Sequence, residues 1–246
     1  LHAAVQFPAL FRAGYHFSLL SFALSLRDPA LRKVMQLMVP RSLAVAVNQI
    51  SLIIVTVFSS TLVSGSLAAF TLAINIVSVP LGLFGIAFSL AAFPVLSALA
   101  AKHENTEFFA VLARTTRRIL YFVLPISFLF IIFRAEIVRS VLGTGAFNWE
   151  DTILTFTVLG WLAVSLFAQG LIPLFVRAFF ALQDTKTPLF AALFAELIHL
   201  SLIPFLLPRF EVAGIAMAFS IGAMTNIFIL YLLLRRRVPG WRDWEL

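Results

Sequence analysis

The sequence predicts an all-α membrane protein, a polytopic bundle of about six transmembrane helices. Of its 246 residues, 61% are hydrophobic and 12% are charged, whereas soluble domains are about 45 to 50% apolar. The mean hydropathy is +1.03. Long apolar runs alternate with short segments that carry most of the Lys and Arg residues. This pattern is typical of a chain that crosses a bilayer repeatedly.

The same composition limits the classes of function. The net charge of +7 comes from basic residues at the ends of apolar runs, which indicates topology signals and lipid-headgroup contacts rather than a nucleic-acid partner. The chain has no Cys, so a thiolate metal site and a cysteine nucleophile are excluded. It begins without an initiator Met or a secretory signal pattern, and we expect a fragment of a longer protein.

We expect three regions along the chain. Residues 1–36 hold the end of a preceding helix and an interfacial amphipathic segment, in which Asp28 caps a helix and Pro29 takes its first position. Residues 37–234 form the six-helix transmembrane region, and residues 235–246 form a basic cytoplasmic tail.

The second span organises the bundle, because residues 66–100 contain no charged side chain. As one helix they extend roughly 50 Å, against a hydrocarbon core of about 30 Å. Pro80 removes a backbone donor, and Gly82 and Gly85 add no side-chain bulk. We therefore predict a bent or interrupted helix with a hinge at these residues, facing a wet cavity or other helices near Asn75. A tolerated kink in a packed bundle is the alternative.

The remaining spans are assigned from the apolar runs between turn and charge signals. We expect Asn105 to cap the third helix, and Glu150 and Asp151 to lie at the positive end of the fourth. A short interfacial helix precedes the fourth span. The expected spans are 37–62, 66–100, 105–133, 149–181, 187–207 and 212–234.

The distribution of cations predicts the orientation, since cytoplasmic loops are enriched in Lys and Arg. Only Arg134, Arg139 and Arg209 lie in the loops expected outside. Both ends of the chain are therefore expected in the cytoplasm. The cations expected inside are Arg12, Arg27, Arg32, Lys33, Lys102, Arg114, Arg117, Arg118, Lys186, Arg235, Arg236, Arg237 and Arg242.

Glu196 and His199 are the ionisable pair inside the fifth span. Their spacing of three places them on one helical face, and such a pair at membrane depth marks an ion or proton path by default. Mutual satisfaction within a packed interface is the alternative. We expect no metal site, since His2, His16 and His103 fall outside the spans. No second buried acid accompanies Glu196, so we expect no enzyme and no cofactor, and an intramembrane transferase ranks low.

Several motifs follow one another in a characteristic order. They are NQISLII from residue 48, PLGLFGIA from residue 80, FPVLS from residue 93, GAF from residue 145 with Asp151, RAFFALQDTKTP from residue 177, and AGIA from residue 213 with Asn226. Together they resemble the MurJ (MviN) family of lipid II flippases, within the superfamily of multidrug, oligosaccharidyl-lipid and polysaccharide exporters. The resemblance covers nearly the whole chain.

The resemblance implies a two-lobe flippase fold in the bacterial cytoplasmic membrane, of which this chain is the C-terminal lobe. Its partners would be the N-terminal lobe of the same protein, membrane lipids and an undecaprenyl-pyrophosphate-linked peptidoglycan precursor, carried to the outer leaflet by alternating access. A polysaccharide-lipid or multidrug exporter of the same superfamily is the alternative. The residues expected to line the substrate cavity are Asn48, Gln49, Ser51, Asn75, Glu196 and His199.

Two positions depart from the pattern of the family. Asn75 stands where the family usually has an arginine in its eighth helix, so a cationic clamp on a pyrophosphate is absent there. Val55 stands where many members have an acid or amide in the seventh helix. Glu196 and His199 compensate for these changes, or the chain belongs to a relative with another lipid-linked substrate.

Overall fold

The computed structural model describes residues 29–142 and 149–237. Within these ranges every regular element is helical, which confirms the all-α prediction. In chain order the elements are α1 (Pro29–Ser60), α2 (Ser66–Pro80), a π-helical segment (Leu81–Ile86), α3 (Ala87–Ala101), α4 (Asn105–Ile132), α5 (Arg134–Leu142), α6 (Trp149–Val164), α7 (Leu166–Ala181) and α8 (Lys186–Arg237).

The chain divides after Pro40 into two compact units. Of the first, residues 1–40, the structure describes only the opening turns of α1. The expected interfacial turn and the first span are one helix here, since α1 begins at Pro29 and continues to Ser60. Asp28 and the basic tail after residue 237 lie outside the described residues. The second unit, from Arg41 onward, contains the helix bundle described below.

Length and composition identify the helices that can cross a membrane. Three described helices qualify alone, namely the continuous stretch Ser66–Ala101, Asn105–Ile132 and Lys186–Arg237, and the bent pair α6 and α7 adds a fourth. The long α8 contains two of the predicted spans, because its backbone reverses at Glu211, where φ is 49° and ψ is −131°. We call residues 186–210 the N-terminal arm of α8 and residues 212–237 its C-terminal arm.

The two arms of α8 form an antiparallel hairpin. A Cβ placed on Gly214 would lie 2.7 Å from the backbone of Leu206, and one on Gly222 would lie 3.0 Å from the Cβ of His199. Small residues therefore allow the arms to approach closely, as is common between membrane helices. The predicted end of the fifth span and start of the sixth agree with this turn.

The predicted interruption at Pro80 is a π-helical turn. The backbone N–H of Ala87 bonds to the carbonyl of Gly82, five residues earlier. Because a π-helical turn widens the helix locally without ending it, residues 66–101 remain one span. Such turns frequently mark functional sites.

The fourth span breaks at Ser165, where α6 and α7 meet at 49°. A chain of hydrogen bonds satisfies the opened backbone. The Ser220 hydroxyl donates to the Trp161 carbonyl at 2.8 Å, the Ser165 hydroxyl donates to Ser220 at 3.0 Å, and the Gln169 amide donates to Ser165 at 2.9 Å. Ser165 and Ser220 are both buried, and these bonds pair the hydroxyls of both residues at the bend.

The helix starts follow the predictions in part. Glu150 and Asp151 occupy the first turn of α6, as predicted. The expected cap by Asn105 is wrong, because Glu104 holds the N-cap position of α4 and no side chain bonds to the first turn. His103, just before the helix, has a left-handed backbone conformation with φ at 58°. Asn105 therefore lies inside the helix, after its N-cap.

Arg134, the first residue of α5, packs against α6. The Arg134 guanidinium lies over the Phe156 ring, 5.4 Å from its centroid. A Cβ on Gly160 would lie 2.9 Å from the Arg134 guanidinium nitrogen. Gly160 therefore leaves room for a cation–π contact on the surface of α6.

Candidate functional site

A cavity of about 290 Å³ lies inside the helix bundle. Its walls come from the π-helical segment through Leu81, from α7 and from both arms of α8. Most of the lining is apolar, and the polar side chains are those of Gln169, Glu196, His199 and Asn226. Few converging polar groups in an apolar pocket are typical of a binding site.

Glu196 and His199 form an ion pair or hydrogen bond across one helical turn. The Nδ1 atom of His199 lies 3.0 Å from the Glu196 carboxylate, and the side chains are 2% and 22% exposed, respectively. The Ser51 hydroxyl of α1 also hydrogen-bonds to the Glu196 carboxylate. Glu196 is therefore held from two helices, which fixes its carboxylate at the cavity wall.

Two buried polar atoms at this cavity have no partner. They are Nε2 of His199 and Oδ1 of Asn226. Buried polar groups are usually paired, because leaving one unpaired costs about 1 to 3 kcal/mol. The edge of the Phe219 ring covers the histidine, with centroids 5.6 Å apart. The cavity thus offers an unused imidazole nitrogen and an unused amide oxygen to a small polar occupant.

Glycine at position 222 makes the buried position of His199 possible. A Cβ there would lie 3.0 Å from the His199 Cβ and 3.3 Å from the Ala195 carbonyl. Because Gly222 has no side chain, the C-terminal arm of α8 packs directly over the histidine. This packing encloses the His199 imidazole beside the Glu196 carboxylate.

The structure brings together only part of the predicted site. Ser51, Glu196 and His199 meet, as described above. Gln49 and Asn75 are exposed on the surfaces of α1 and α2, away from the lining of this cavity. The side chain of Asn48 lies outside the described residues. The three predicted hinge residues lie at the π-helical segment: Pro80 precedes it, and Gly82 and Gly85 are inside it.

Two cavity residues, Gln169 and Asn226, are not among the residues that the sequence predicts for the site. Their positions in helical spans were the available signal, but the meeting of α7 with α8 depends on tertiary packing. Val55 is buried in the helix core. Among the described residues, no group of three His, Asp or Glu side chains is arranged to bind a metal ion.

A family model described as lipid II flippase MurJ matches residues 1–245. This chain belongs to the MurJ family. Curated MurJ relatives align with most of it. The chain is 30% identical over 227 residues to a probable lipid II flippase MurJ of Buchnera aphidicola subsp. Schizaphis graminum, covering 92% of this chain and 43% of that relative. It is 29% identical over 223 residues to lipid II flippase MurJ of Burkholderia cenocepacia, covering 88% and 43%.

Solved transporter structures share the fold of this chain. A structure of lipid II flippase MurJ in an inward closed conformation matches with a TM-score of 0.74 at 24% identity, covering 90% of this chain and 45% of that one. An outward-facing multidrug resistance MATE family transporter of the MOP superfamily matches with a TM-score of 0.72 at 17% identity, covering 83% and 45%. The chain spans less than half the length of these relatives and structures.

Proposed function

We propose that this MurJ-family chain is the C-terminal lobe of a flippase that moves the lipid-linked peptidoglycan precursor lipid II across the bacterial cytoplasmic membrane. The match of residues 1–245 to the family carries this proposal. The other lobe would be supplied by the rest of the same protein, which accords with the coverage of 43% of the relatives. Transport in a two-lobe protein proceeds by alternating access around a site near the bilayer midplane.

The proposed passage for the headgroup runs along the exposed faces of α1 and α2. Asn48, Gln49 and Asn75 would line it, while the lipid tail remains in the bilayer. The exposure of Gln49 and Asn75 supports this role, because polar side chains on a lipid-facing surface are unfavourable. Pro80, Gly82 and Gly85 would form the hinge that lets this face open and close.

We propose that both ends of the chain lie in the cytoplasm. The end of α7 and the start of α8 lie at the same end of the bundle as the last turn of α8, because Arg237 contacts Asp184 at 2.6 Å. Lys186, Arg235 and Arg236 are exposed there. A concentration of cations at one end of a membrane bundle favours a cytoplasmic location for that end.

The Glu196 and His199 pair would be a proton-sensitive element of the cycle. Histidine changes its charge in the physiological pH range, and the conversion of the pair from a neutral imidazole with a carboxylate to an ion pair changes the charge beside the cavity. Among the described residues, the polar groups beside this pair are uncharged, namely Ser51 of α1, Gln169 of α7 and Asn226 of the C-terminal arm of α8. The charge state of the cavity wall would therefore depend on these two side chains.

Translocation of labelled lipid II by the full-length protein in vesicles tests this role. The parent should show a rate that changes with pH. Glu196→Gln should flatten that dependence, because the imidazole loses its charged partner. Glu107→Gln is the matched control, since Glu107 is exposed and pairs with Arg114, and should keep the parental profile. An unchanged profile in Glu196→Gln would remove the proton role, and a parent that moves no lipid II would remove the proposed cargo.

A second candidate is export of another lipid-linked polysaccharide or of drugs. The observation that favours it is Asn75 at the position where the family usually has an arginine, since a pyrophosphate is commonly bound by arginine. Restored growth of a flippase-depleted bacterium supports lipid II transport. A change in drug sensitivity without restored growth supports the exporter.

A further inference from the structure

Two interrupted helices lie side by side in the bundle, and their interruptions are at the same level. A Cβ on Gly85 would lie 2.9 Å from the carbonyl oxygen of Gly170, so the π-helical segment and α7 cross there in backbone contact. Five residues before each glycine lies the break in its own helix, Pro80 on one side and Ser165 on the other. The helices run in the same direction, because Ser89 and Arg177 meet further along both.

The packing partners differ on the two sides of this level. Before the breaks α2 packs against α6, and after them α3 packs against α7, while α4 and α8 each contact both α6 and α7. Near the start of the first pair, Asp151 of α6 lies close to Gly65, the N-cap of α2. In the second pair, the Arg177 guanidinium of α7 donates to the Ser89 hydroxyl of α3. Each pair therefore has its own contacts.

Packing around the two glycines of the π-helical segment differs. A Cβ on Gly82 would have no atom within 4 Å, whereas Gly85 is in close contact. Just beyond the segment, the buried Ser89 hydroxyl donates to the carbonyl of Ile86 at 2.8 Å and accepts a bond from Arg177. The segment is therefore more closely packed around Gly85 than around Gly82.

The cavity lies beside these two breaks. Leu81, the first residue of the π-helical segment, lines it together with Gln169 of α7. The same Gln169 donates to Ser165 at the α6–α7 bend. A change in the occupancy or charge of the cavity therefore acts on groups that belong to both breaks.

We propose that residues 80–86 and Ser165 form one joint, about which α2 with α6 move as one body relative to α3 with α7. Arg177 is a positioning residue that clamps the second body through Ser89. This joint lies within the lobe and does not depend on the cargo. The joint rests on the proposed function in one respect. Movement of α2 would reshape the face that is proposed to line the passage for the headgroup.

Distances between paired spin labels in the full-length protein in lipid nanodiscs test the joint. The lobe has no Cys, so labels attach only at introduced positions within it. The exposed residues Leu67 of α2, Ile153 of α6 and Leu90 of α3 suit this purpose. The distribution for Leu67 with Leu90, across the joint, should be broader than that for Leu67 with Ile153, within one body. Equal widths would overturn the proposal.

Hydrogen exchange of backbone amides tests the clamp. Ser89→Ala and Arg177→Gln should each raise exchange in residues 82–90 by about tenfold, since each removes a bond to a charged group. Exchange in residues 66–77 should not change. Ser78→Ala is the matched control, because Ser78 makes the same local bond to the Asn75 carbonyl but is exposed.

If Arg177→Gln does not fold, the smaller change Ser89→Ala decides the question alone. An equal rise of exchange in residues 66–77 and 82–90, or no rise in residues 82–90, would overturn the proposed clamp. Neither measurement uses lipid II, so a failure of the proposed transport leaves both results interpretable.

Discussion

Replacement of Gly85 by alanine should destabilise the protein, whereas the same replacement at Gly82, three residues earlier, should not. The new Cβ at Gly85 would lie 2.9 Å from the carbonyl oxygen and 3.0 Å from the Cα of Gly170, and both are backbone atoms that cannot turn aside. Overpacking of this kind costs about 1 to 3 kcal/mol. At Gly82 no atom lies within 4 Å of the new methyl group.

Both replacements also gain helix propensity, about 0.8 to 1.0 kcal/mol for alanine over glycine. Since this gain is common to the two variants, their difference isolates the crossing and should be about 1 to 3 kcal/mol. Gly82→Ala should be slightly more stable than the parent. A third variant, Gly170→Ala, should be tolerated, because its Cβ would meet its neighbours at 3.5 Å or more.

Thermal unfolding of the three full-length variants in one detergent measures this order. The expected order of midpoints places Gly85→Ala lowest, with Gly82→Ala and Gly170→Ala at or above the parent. A midpoint for Gly85→Ala equal to or above that of Gly82→Ala would refute the close crossing of the π-helical segment and α7.

Two further predictions concern the ends of the bundle. Gly214→Ala should lower the unfolding midpoint far more than Gly160→Ala. The new Cβ at Gly214 would meet backbone atoms, whereas the one at Gly160 would meet the movable end of a side chain. Equal midpoints would contradict the hairpin geometry. Asp184→Ala should cost about 1 to 2 kcal/mol, because the buried carboxylate caps the start of α8. Arg237→Gln should cost about 0 to 1 kcal/mol, since that side chain is half exposed; the reverse order in denaturant titration would show that the ion pair, not the cap, stabilises this turn.

The spans were predictable because bilayer thickness imposes a length on every apolar run. The uncharged residues 66–100, for example, had to be one long or interrupted crossing. The interruption at Pro80 was also predictable, because proline lacks the donor that the preceding turn needs. The π-helical form of this interruption was not predictable. A π-helical turn keeps the helix continuous, and no single residue of the sequence encodes it.

The break at Ser165 could not be predicted in the same way. Serine is not a strong helix breaker, and the nearby signals, Gln169 to Gly170 and Pro173, lie after the bend. The bend is satisfied by Ser220, which lies 55 residues further along the chain. Only the folded arrangement of α8 against α6 and α7 supplies that partner.

The contact within one helix of the candidate site was predictable, and the contacts between helices were not. Glu196 and His199 are three residues apart, and helical geometry alone brings them together. The contact with Ser51 and the shared cavity with Asn226 depend on the packing of separate spans. Gln49 and Asn75 were grouped with them because all are polar, yet their helices present them on a different surface.

The contact between Asp184 and Arg237 also orders the events of synthesis. The carboxylate belongs to the turn before α8, but its cationic partner is translated about fifty residues later. While the ribosome is still producing the second arm, the turn holds a negative charge without that counter-ion. This ion pair can therefore form only after the last turn of α8 has been synthesised, which makes it a late contact of the folding chain.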